Sequence, residues 1–201
     1  LSKFIALLNV FSGQHSLGWN NCRFYFNPKT KLLEPIAYDI NSSFNFDLMP
    51  NYPTSESLLF EETIFNDTVF INSYMDNLNL MSKKEYLKSF FDKIKLDFSR
   101  NIELLSLEFP AEDFTLEKYF EKAEYIQHKI NGPLENEIYA NIDYISKGEI
   151  SLTVLNTCNL PIKICSILSN SKEILKIRKQ NILYPRRLLH KTPLKQISLQ
   201  I

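Results

Sequence analysis

Apolar side chains recur at helical spacing along much of the chain, and this periodicity is the main guide to its fold. One apolar stripe covers residues 2–11, and three more follow between Asn66 and Asn131, separated at Ser82 and at Pro110. Each stripe predicts a helix with one buried face. The residue types at the helix ends predict caps at Ser2, Asn66 or Asp67, Ser82 paired with Glu85 in a capping box, and Gly132.

Between the first two stripes the apolar residues lose their helical spacing. Phe24–Phe26 and Leu32–Tyr38 are apolar runs joined by Asn27-Pro28-Lys29-Thr30-Lys31, which predicts a β-hairpin because proline presets a turn between strand-forming runs. Residues 40–54 are rich in turn formers and predict a loop. We expect its aromatic residues to anchor the loop to the core, and these are Phe44, Phe46 and Tyr52.

Beyond Pro133 the pattern favours strands. Residues 149–156 alternate between apolar and polar, whereas residues 138–145 are ambiguous between helix and strand. Short apolar runs at 160–168 and 174–177 complete a β-rich segment typical of the start of a β-sandwich. The predicted fold class is therefore α+β, with a mainly helical domain at 1–135 and a β-rich segment at 136–201.

The hairpin suggests a chemical site at its open end. Asn21 and Asp39 flank the two predicted strands, so a hairpin brings an amide oxygen and a carboxylate close together. Mg²⁺ prefers oxygen ligands and often takes only one or two from protein, with phosphate oxygens and water completing its shell. The sequence therefore predicts a magnesium site there.

The residues around this pair resemble a known family. Trp19-Asn-Asn-Cys-Arg-Phe-Tyr-Phe-Asn-Pro28, followed by Leu33-Glu-Pro-Ile-Ala-Tyr-Asp-Ile-Asn-Ser-Ser-Phe44, is similar to the signature of the spore coat protein CotH family of atypical kinases. The resemblance implies a kinase-like C-lobe in which Asn21 is the catalytic-loop Asn and Asp39 the metal-binding Asp. It further implies Mg²⁺ or Mn²⁺ and ATP as cofactors, and a Ser or Thr of an envelope or coat protein as substrate. An extracellular, cell-envelope or spore-coat location follows from the same resemblance.

The chain departs from that family pattern at the position of the catalytic base. The family carries an Asp five residues before the Asn, and Ser16 stands there in this chain. The second Asp of the family motif is Asn41, which we expect to be a weak ligand at most. The family's nucleotide-covering lobe would lie upstream of Leu1, so the chain is expected to be a fragment or a degenerate member.

Two questions stay open at the level of sequence. Ser16 or His15 would occupy the site of the base, and His15 either substitutes for the missing Asp or packs at the end of the first helix. The chain is accordingly either a phosphotransferase or a non-catalytic pseudokinase scaffold that binds a surface partner. The loss of an Asp at position 16 favours the scaffold, whereas the intact Asn21 and Asp39 favour the enzyme.

Composition limits the classes of protein to which the chain can belong. The chain has 201 residues, of which 44% are hydrophobic, with only 4 Gly and 9 Pro, so a sizeable ordered core is expected. No apolar run is long enough for a membrane span. Three cysteines lack metal-ligand spacing, and a Cys158–Cys165 bridge is one option among free thiols.

The net charge of zero hides an asymmetry. Residues 161–201 carry nine Lys or Arg against one Glu, a net +8 that residues 1–160 balance with −8. This tail either binds an anionic partner, docks on the acidic body of the same chain, or is a solvated face. Nucleic acid is disfavoured as the anionic partner because the basic residues are scattered and lack interleaved aromatics.

Overall fold

Helices dominate the first part of the chain and strands the last, so the protein is α+β as predicted. The structure is a computed structural model that describes residues 1–18, 20–40, 44–46, 48, 64–65, 67–110, 115–132, 138–146, 149–157, 160–169, 172–183 and 195–200. Within these ranges the helices are α1 Ser2–Val10, a 3₁₀ turn Gln14–Leu17, α2 Thr68–Met81, α3 Lys84–Glu108 and α4 Glu117–Asn131. The strands are β1 Arg23–Asn27, β2 Leu32–Ile36, β3 Ile138–Ser146, β4 Glu149–Asn156, β5 Ile162–Ser169, β6 Lys172–Leu183 and β7 Lys195–Gln200.

The chain divides into two compact units. The first comprises Leu1–Asp47 and Ser73–Gly132, and the second comprises Leu48–Asn72 and Pro133–Ile201. The domain boundary placed at residue 135 on sequence grounds stays a prediction.

The core of the first unit is built from the apolar stripes of its four helices. Fully or almost fully buried side chains come from every helix: Ile5, Leu8 and Val10 of α1, Tyr74, Leu78 and Met81 of α2, Leu87 and Phe91 of α3, and Ala123 and Ile126 of α4. Phe11, just after α1, packs its ring against Phe90, Phe91 and Tyr119 at centroid distances of 5.6, 6.2 and 5.5 Å. Burial of these stripes is the main driving force for folding of this unit.

Two of the predicted helix caps are wrong, because another partner takes the hydroxyl of Ser2 and of Ser82. Gly132 does end α4, but its predicted left-handed conformation is wrong. Ser2 lies inside α1, and its hydroxyl oxygen is 2.8 Å from that of Ser73. Ser82 donates to the Leu78 carbonyl and accepts from Gln127, so it does not cap α3. Gly132 is extended, at φ −78° and ψ 172°, rather than left-handed.

Asp67 does cap α2. Its Oδ1 accepts hydrogen bonds from the backbone N–H groups of Val69 and Phe70, at 2.7 and 2.8 Å. These are the amides that an N-cap carboxylate satisfies, and the charge also favours the helix dipole. Of the two residues predicted for this cap, Asn66 lies outside the described residues.

The predicted hairpin is confirmed. β1 and β2 pair antiparallel, with Arg23 opposite Ile36 and Asn27 opposite Leu32. Asn27 organises the turn, because its Oδ1 accepts from the backbone N–H of Lys29 at 3.0 Å and its Nδ2 donates to Glu34 at 2.7 Å. The turn closes at Lys31, whose φ of 57° is left-handed.

The β-rich C-terminal segment is also confirmed. β3, β4 and β7 form one antiparallel sheet in that order, and β5 and β6 form another. The ambiguous stretch 138–145 is therefore a strand, and its pairing with β4 decides between the two predictions. Asn156 joins the end of β4 to neighbouring backbone by donating to the carbonyls of Leu160 and Leu183.

The remaining predictions concern membranes, thiols and the tail. No helix among the described residues is long and apolar enough to cross a bilayer. Cys165 is an exposed free thiol, whereas Cys158 lies outside the described residues. Among the tail's basic residues Lys163, on β5, is exposed, and the role of the tail stays a prediction.

Candidate functional site

A single turn after α1 presents His15. The 3₁₀ turn Gln14–Leu17 begins after Gly13 and ends at Gly18, whose backbone N–H donates to the His15 carbonyl at 3.1 Å. Short 3₁₀ segments of this kind are common at helix ends and connections. The turn leaves the His15 side chain 59% exposed, so this histidine faces solvent rather than the core.

Asp39 lies opposite that histidine. It follows the end of β2 by three residues and adopts a left-handed backbone with φ of 48°. Its Oδ2 is 3.3 Å from His15 Nε2, and the carboxylate side chain is 41% exposed. Asp tolerates positive φ better than most residues, but the conformation still needs support from its surroundings.

Asn21 reaches the same histidine from the other end of the hairpin. Its backbone N–H donates to the Gly18 carbonyl at 2.8 Å, which ties β1 to the turn that carries His15. Its Nδ2 donates to the His15 carbonyl at 3.3 Å. That bond engages the amide nitrogen, so Oδ1 is the atom that Asn21 has to offer a cation.

The structure therefore gathers His15, Asn21 and Asp39 and separates Ser16 from them. Ser16 is only 1% exposed, and its hydroxyl donates to the Gly13 carbonyl at 3.0 Å. A serine held in this way has its proton committed to the backbone. Asn41, the remaining predicted ligand, lies outside the described residues.

The site offers a divalent cation few protein ligands. Among the described residues no group of three or more His, Cys, Asp and Glu side chains could hold a metal ion. Asp39 and Asn21 nonetheless offer one carboxylate and one amide oxygen, each on a residue that contacts His15. That set fits Mg²⁺, which keeps several waters and takes its other ligands from substrate phosphates, and it does not fit zinc.

Two contacts near the site were not predicted from sequence. The Arg23 guanidinium carbon lies 5.2 Å above the Tyr38 ring, a cation–π contact across the open end of the hairpin. Gly13 lies against Ile40, because an added Cβ would be 2.6 Å from Ile40 Cγ2. The Arg23–Tyr38 pair could have been found from the hairpin register, whereas the Gly13–Ile40 contact leaves no local signal.

No protein-family model, curated protein or solved structure matches this chain.

Proposed function

We propose that this chain carries the metal-binding part of a kinase-like phosphotransferase, as its resemblance to the CotH family implies. In this proposal Asn21 and Asp39 hold Mg²⁺ against the phosphates of ATP. The observation that carries the proposal is that both residues, from opposite ends of the hairpin, contact His15. The substrate class is a Ser or Thr hydroxyl of an envelope or coat protein.

Mg²⁺, when bound, would neutralise charge on the transferring phosphoryl group, which is the main requirement of this chemistry. Asp39 provides the anionic ligand and Asn21 a neutral one, so the pair binds the cation without surrounding it. The exposure of His15 and Asp39 leaves space for the triphosphate and for water. Both features suit a cation that is delivered together with its nucleotide.

His15 is the group that can accept a proton from the attacking hydroxyl. A neutral imidazole that donates from Nε2 to Asp39 keeps its lone pair on Nδ1, and Nδ1 is then the accepting atom. Asp39 orients the ring, as carboxylates often do for functional histidines. Ser16 cannot serve, because its hydroxyl is buried and bonded to Gly13.

Metal binding is the most direct test of the proposal. Mn²⁺ replaces Mg²⁺ and is observed by electron paramagnetic resonance, so its affinity can be measured on the intact chain with and without ATP. Asp39→Asn removes the charge but tolerates a left-handed backbone, unlike Asp39→Ala, so a change in affinity is not caused by strain at φ 48°. The matched control is Asp97→Asn, which neutralises an exposed carboxylate on α3.

We expect Asp39→Asn to weaken Mn²⁺ binding by at least tenfold, on the order of the losses seen when metal-site residues are altered. Asp97→Asn should bind as the native chain does. Equal affinities of native protein and Asp39→Asn would reject the metal site, and with it the assigned role of Asp39. ATP should raise the affinity for Mn²⁺ in the native chain and have little effect in Asp39→Asn.

A second candidate, a non-catalytic scaffold that binds a surface partner, is favoured by the hairpin itself. Phe26 and Leu33 are directly opposite each other on one face of the ribbon and are 57% and 65% exposed. Exposed apolar surface of this kind often marks a protein-binding site. If Phe26→Ser with Leu33→Ser lowers the binding of a hydrophobic dye, and Mn²⁺ binding does not depend on Asp39, the scaffold is the better description.

A further inference from the structure

Of the residues after Asp39, Ile40 and Asn45 each contact the turn after α1. Ile40, next to Asp39, packs on Gly13 so closely that a Cβ on that glycine would lie 2.6 Å from Ile40 Cγ2 and 2.9 Å from Leu8 Cδ2. Real Cβ atoms do not approach carbon atoms to such distances, so a side chain at position 13 would force Ile40 and Leu8 to shift. The φ of Gly13 is −89°, so close approach and not backbone conformation requires this glycine.

The second attachment is at Ser12. Its hydroxyl donates to the Asn45 carbonyl at 3.0 Å and accepts from the Nζ of Lys122 at 2.7 Å. Ser12 and Lys122 are 2% and 0% exposed, so both bonds are shielded from water. A buried hydrogen bond that involves a charged group contributes more than one on the surface.

Aromatic packing reinforces this second attachment. The Phe44 ring packs edge-on against Tyr119 at 5.7 Å and lies 5.8 Å from the Lys122 Nζ. Phe46 packs in the same way against Tyr125 at 5.5 Å. The predicted anchoring role of Phe44 and Phe46 is confirmed, whereas Tyr52 lies outside the described residues.

We propose that Ser12 and Gly13 form a dock for the segment after Asp39, and that Gly13 is a positioning residue which sets the Asp39 carboxylate against His15. Gly13 immediately precedes the 3₁₀ turn of His15, and Ile40 immediately follows Asp39. The Gly13–Ile40 contact therefore lies two residues from His15 along one stretch of backbone and one residue from Asp39 along the other. The left-handed backbone of Asp39 is held by this dock.

This inference deepens the proposed function and rests on it only for the consequence to metal binding. The dock is tested by the distance between His15 and Asp39, which can be measured without a metal ion. A nuclear Overhauser effect between the His15 ring protons and the Asp39 β protons reports their proximity in the intact chain, because the facing atoms are 3.3 Å apart. Mn²⁺ affinity, measured on the same samples, reports the consequence.

The first variant is Gly13→Ala, which forces Ile40 away. We expect the His15–Asp39 Overhauser effect to disappear and the Mn²⁺ affinity to fall about tenfold, as it does when a residue supporting a metal ligand is changed. Adding Ile40→Leu moves the branch point from Cβ to Cγ and removes the Cγ2 atom that the new Cβ would meet. The other close atom, Leu8 Cδ2, is the end of a flexible side chain and can move away. The double variant should regain the Overhauser effect and recover affinity to within about threefold of native, as expected for directly coupled residues.

Rescue separates positioning from a general loss of stability, because Ile40→Leu adds no new contact that would restore a damaged core. Ile40→Ala is a second variant, which removes the Ile40 side-chain atoms that pack on Gly13 without adding an atom. It too should lose the Overhauser effect. An unchanged Overhauser effect in both Gly13→Ala and Ile40→Ala overturns the dock. If the effect is lost and rescued while native protein does not bind Mn²⁺, the dock stands and the proposed metal function fails.

Discussion

His15 Nε2 lies 3.3 Å from Asp39 Oδ2, and this contact joins the turn after α1 to the end of the hairpin. Because Asn21 donates to the His15 backbone carbonyl, His15 is the common neighbour of both predicted metal ligands. In the proposed function the imidazole acts as the base, although Ser16 holds the sequence position at which the resemblance to kinases predicts one. A shift of one residue along a 3₁₀ turn replaces a buried hydroxyl with an exposed ring.

Replacing His15 should separate binding from turnover. His15→Gln retains an amide that can donate to Asp39, but it has no group able to accept a proton. We expect Mn²⁺ affinity to stay near native, while phosphoryl transfer, measured as ADP formation in the presence of an acceptor peptide, falls by about 10²–10⁴-fold. A loss of metal affinity equal to that of Asp39→Asn would show instead that His15 acts by holding the ligand.

Ser82 and Glu85 offer a test of the corrected helix cap. Ser82 is buried and bonds to both Leu78 and Gln127, so Ser82→Ala should lower the free energy of unfolding by about 1–2 kcal/mol. Glu85 is exposed in the first turn of α3, so Glu85→Ala should cost no more than about 0.5 kcal/mol. Urea unfolding of the two variants is the measurement, and equal costs would restore the capping box.

The parts of the fold that depend on local chemistry were predictable. The hairpin follows from two apolar runs around an Asn-Pro turn, and the Asp67 cap from a carboxylate just before an apolar stripe. The caps assigned to Ser2 and Ser82 failed because tertiary partners, Ser73 and Gln127, compete for the same hydroxyl groups. Such competition leaves no trace in a local pattern.

In the candidate site, too, some features follow from local sequence and others depend on tertiary contacts. A hairpin of this length predicts that its two ends meet. Asn21 and Asp39 both contact His15, the first at its backbone carbonyl and the second at its ring. The orientation of His15 could not be predicted, because a 3₁₀ turn and a helix end place adjacent side chains in different directions. The left-handed backbone of Asp39 depends on Ile40 meeting Gly13, a contact between residues distant in sequence.

Tyr74 predicts how stability depends on pH. Its side chain is fully buried, its hydroxyl accepts from Asn9 Nδ2 at 2.9 Å, and burial raises the pKa of its phenol. The unfolded chain releases that proton near pH 10, whereas the folded protein retains it. The folded state then binds more protons, so the free energy of unfolding should fall above about pH 10, by at most ~1.4 kcal/mol per pH unit from this group.

Tyr74→Phe should remove that contribution and should also cost about 1–2 kcal/mol at neutral pH through loss of the Asn9 bond. Urea unfolding between pH 8 and 11 measures both effects. Tyr25→Phe, at a position exposed on the hairpin, is the matched control and should behave as native. A pH slope that is the same in Tyr74→Phe and native protein would contradict the assignment.

The hairpin turn offers a stabilising substitution that leaves the site untouched. Lys31 is exposed with φ of 57°, and its backbone N–H donates to the Asn27 carbonyl at 2.8 Å. Glycine adopts this conformation without the steric cost that a Cβ incurs, so Lys31→Gly should gain about 0.5 kcal/mol after the greater entropy of the unfolded chain is allowed for. Asn27→Ala, which removes the side-chain bonds to Lys29 and Glu34, should lose about 1 kcal/mol.

Amide hydrogen exchange of β1 and β2 is the measurement, because an isolated two-stranded ribbon is marginally stable and opens locally. Protection should rise in Lys31→Gly and fall in Asn27→Ala. Mn²⁺ affinity should follow in the same order, since the closed ribbon brings both Asn21 and Asp39 to His15. If both variants alter protection but neither alters metal affinity, then the Gly18 and Gly13 contacts alone hold Asn21 and Asp39 at His15.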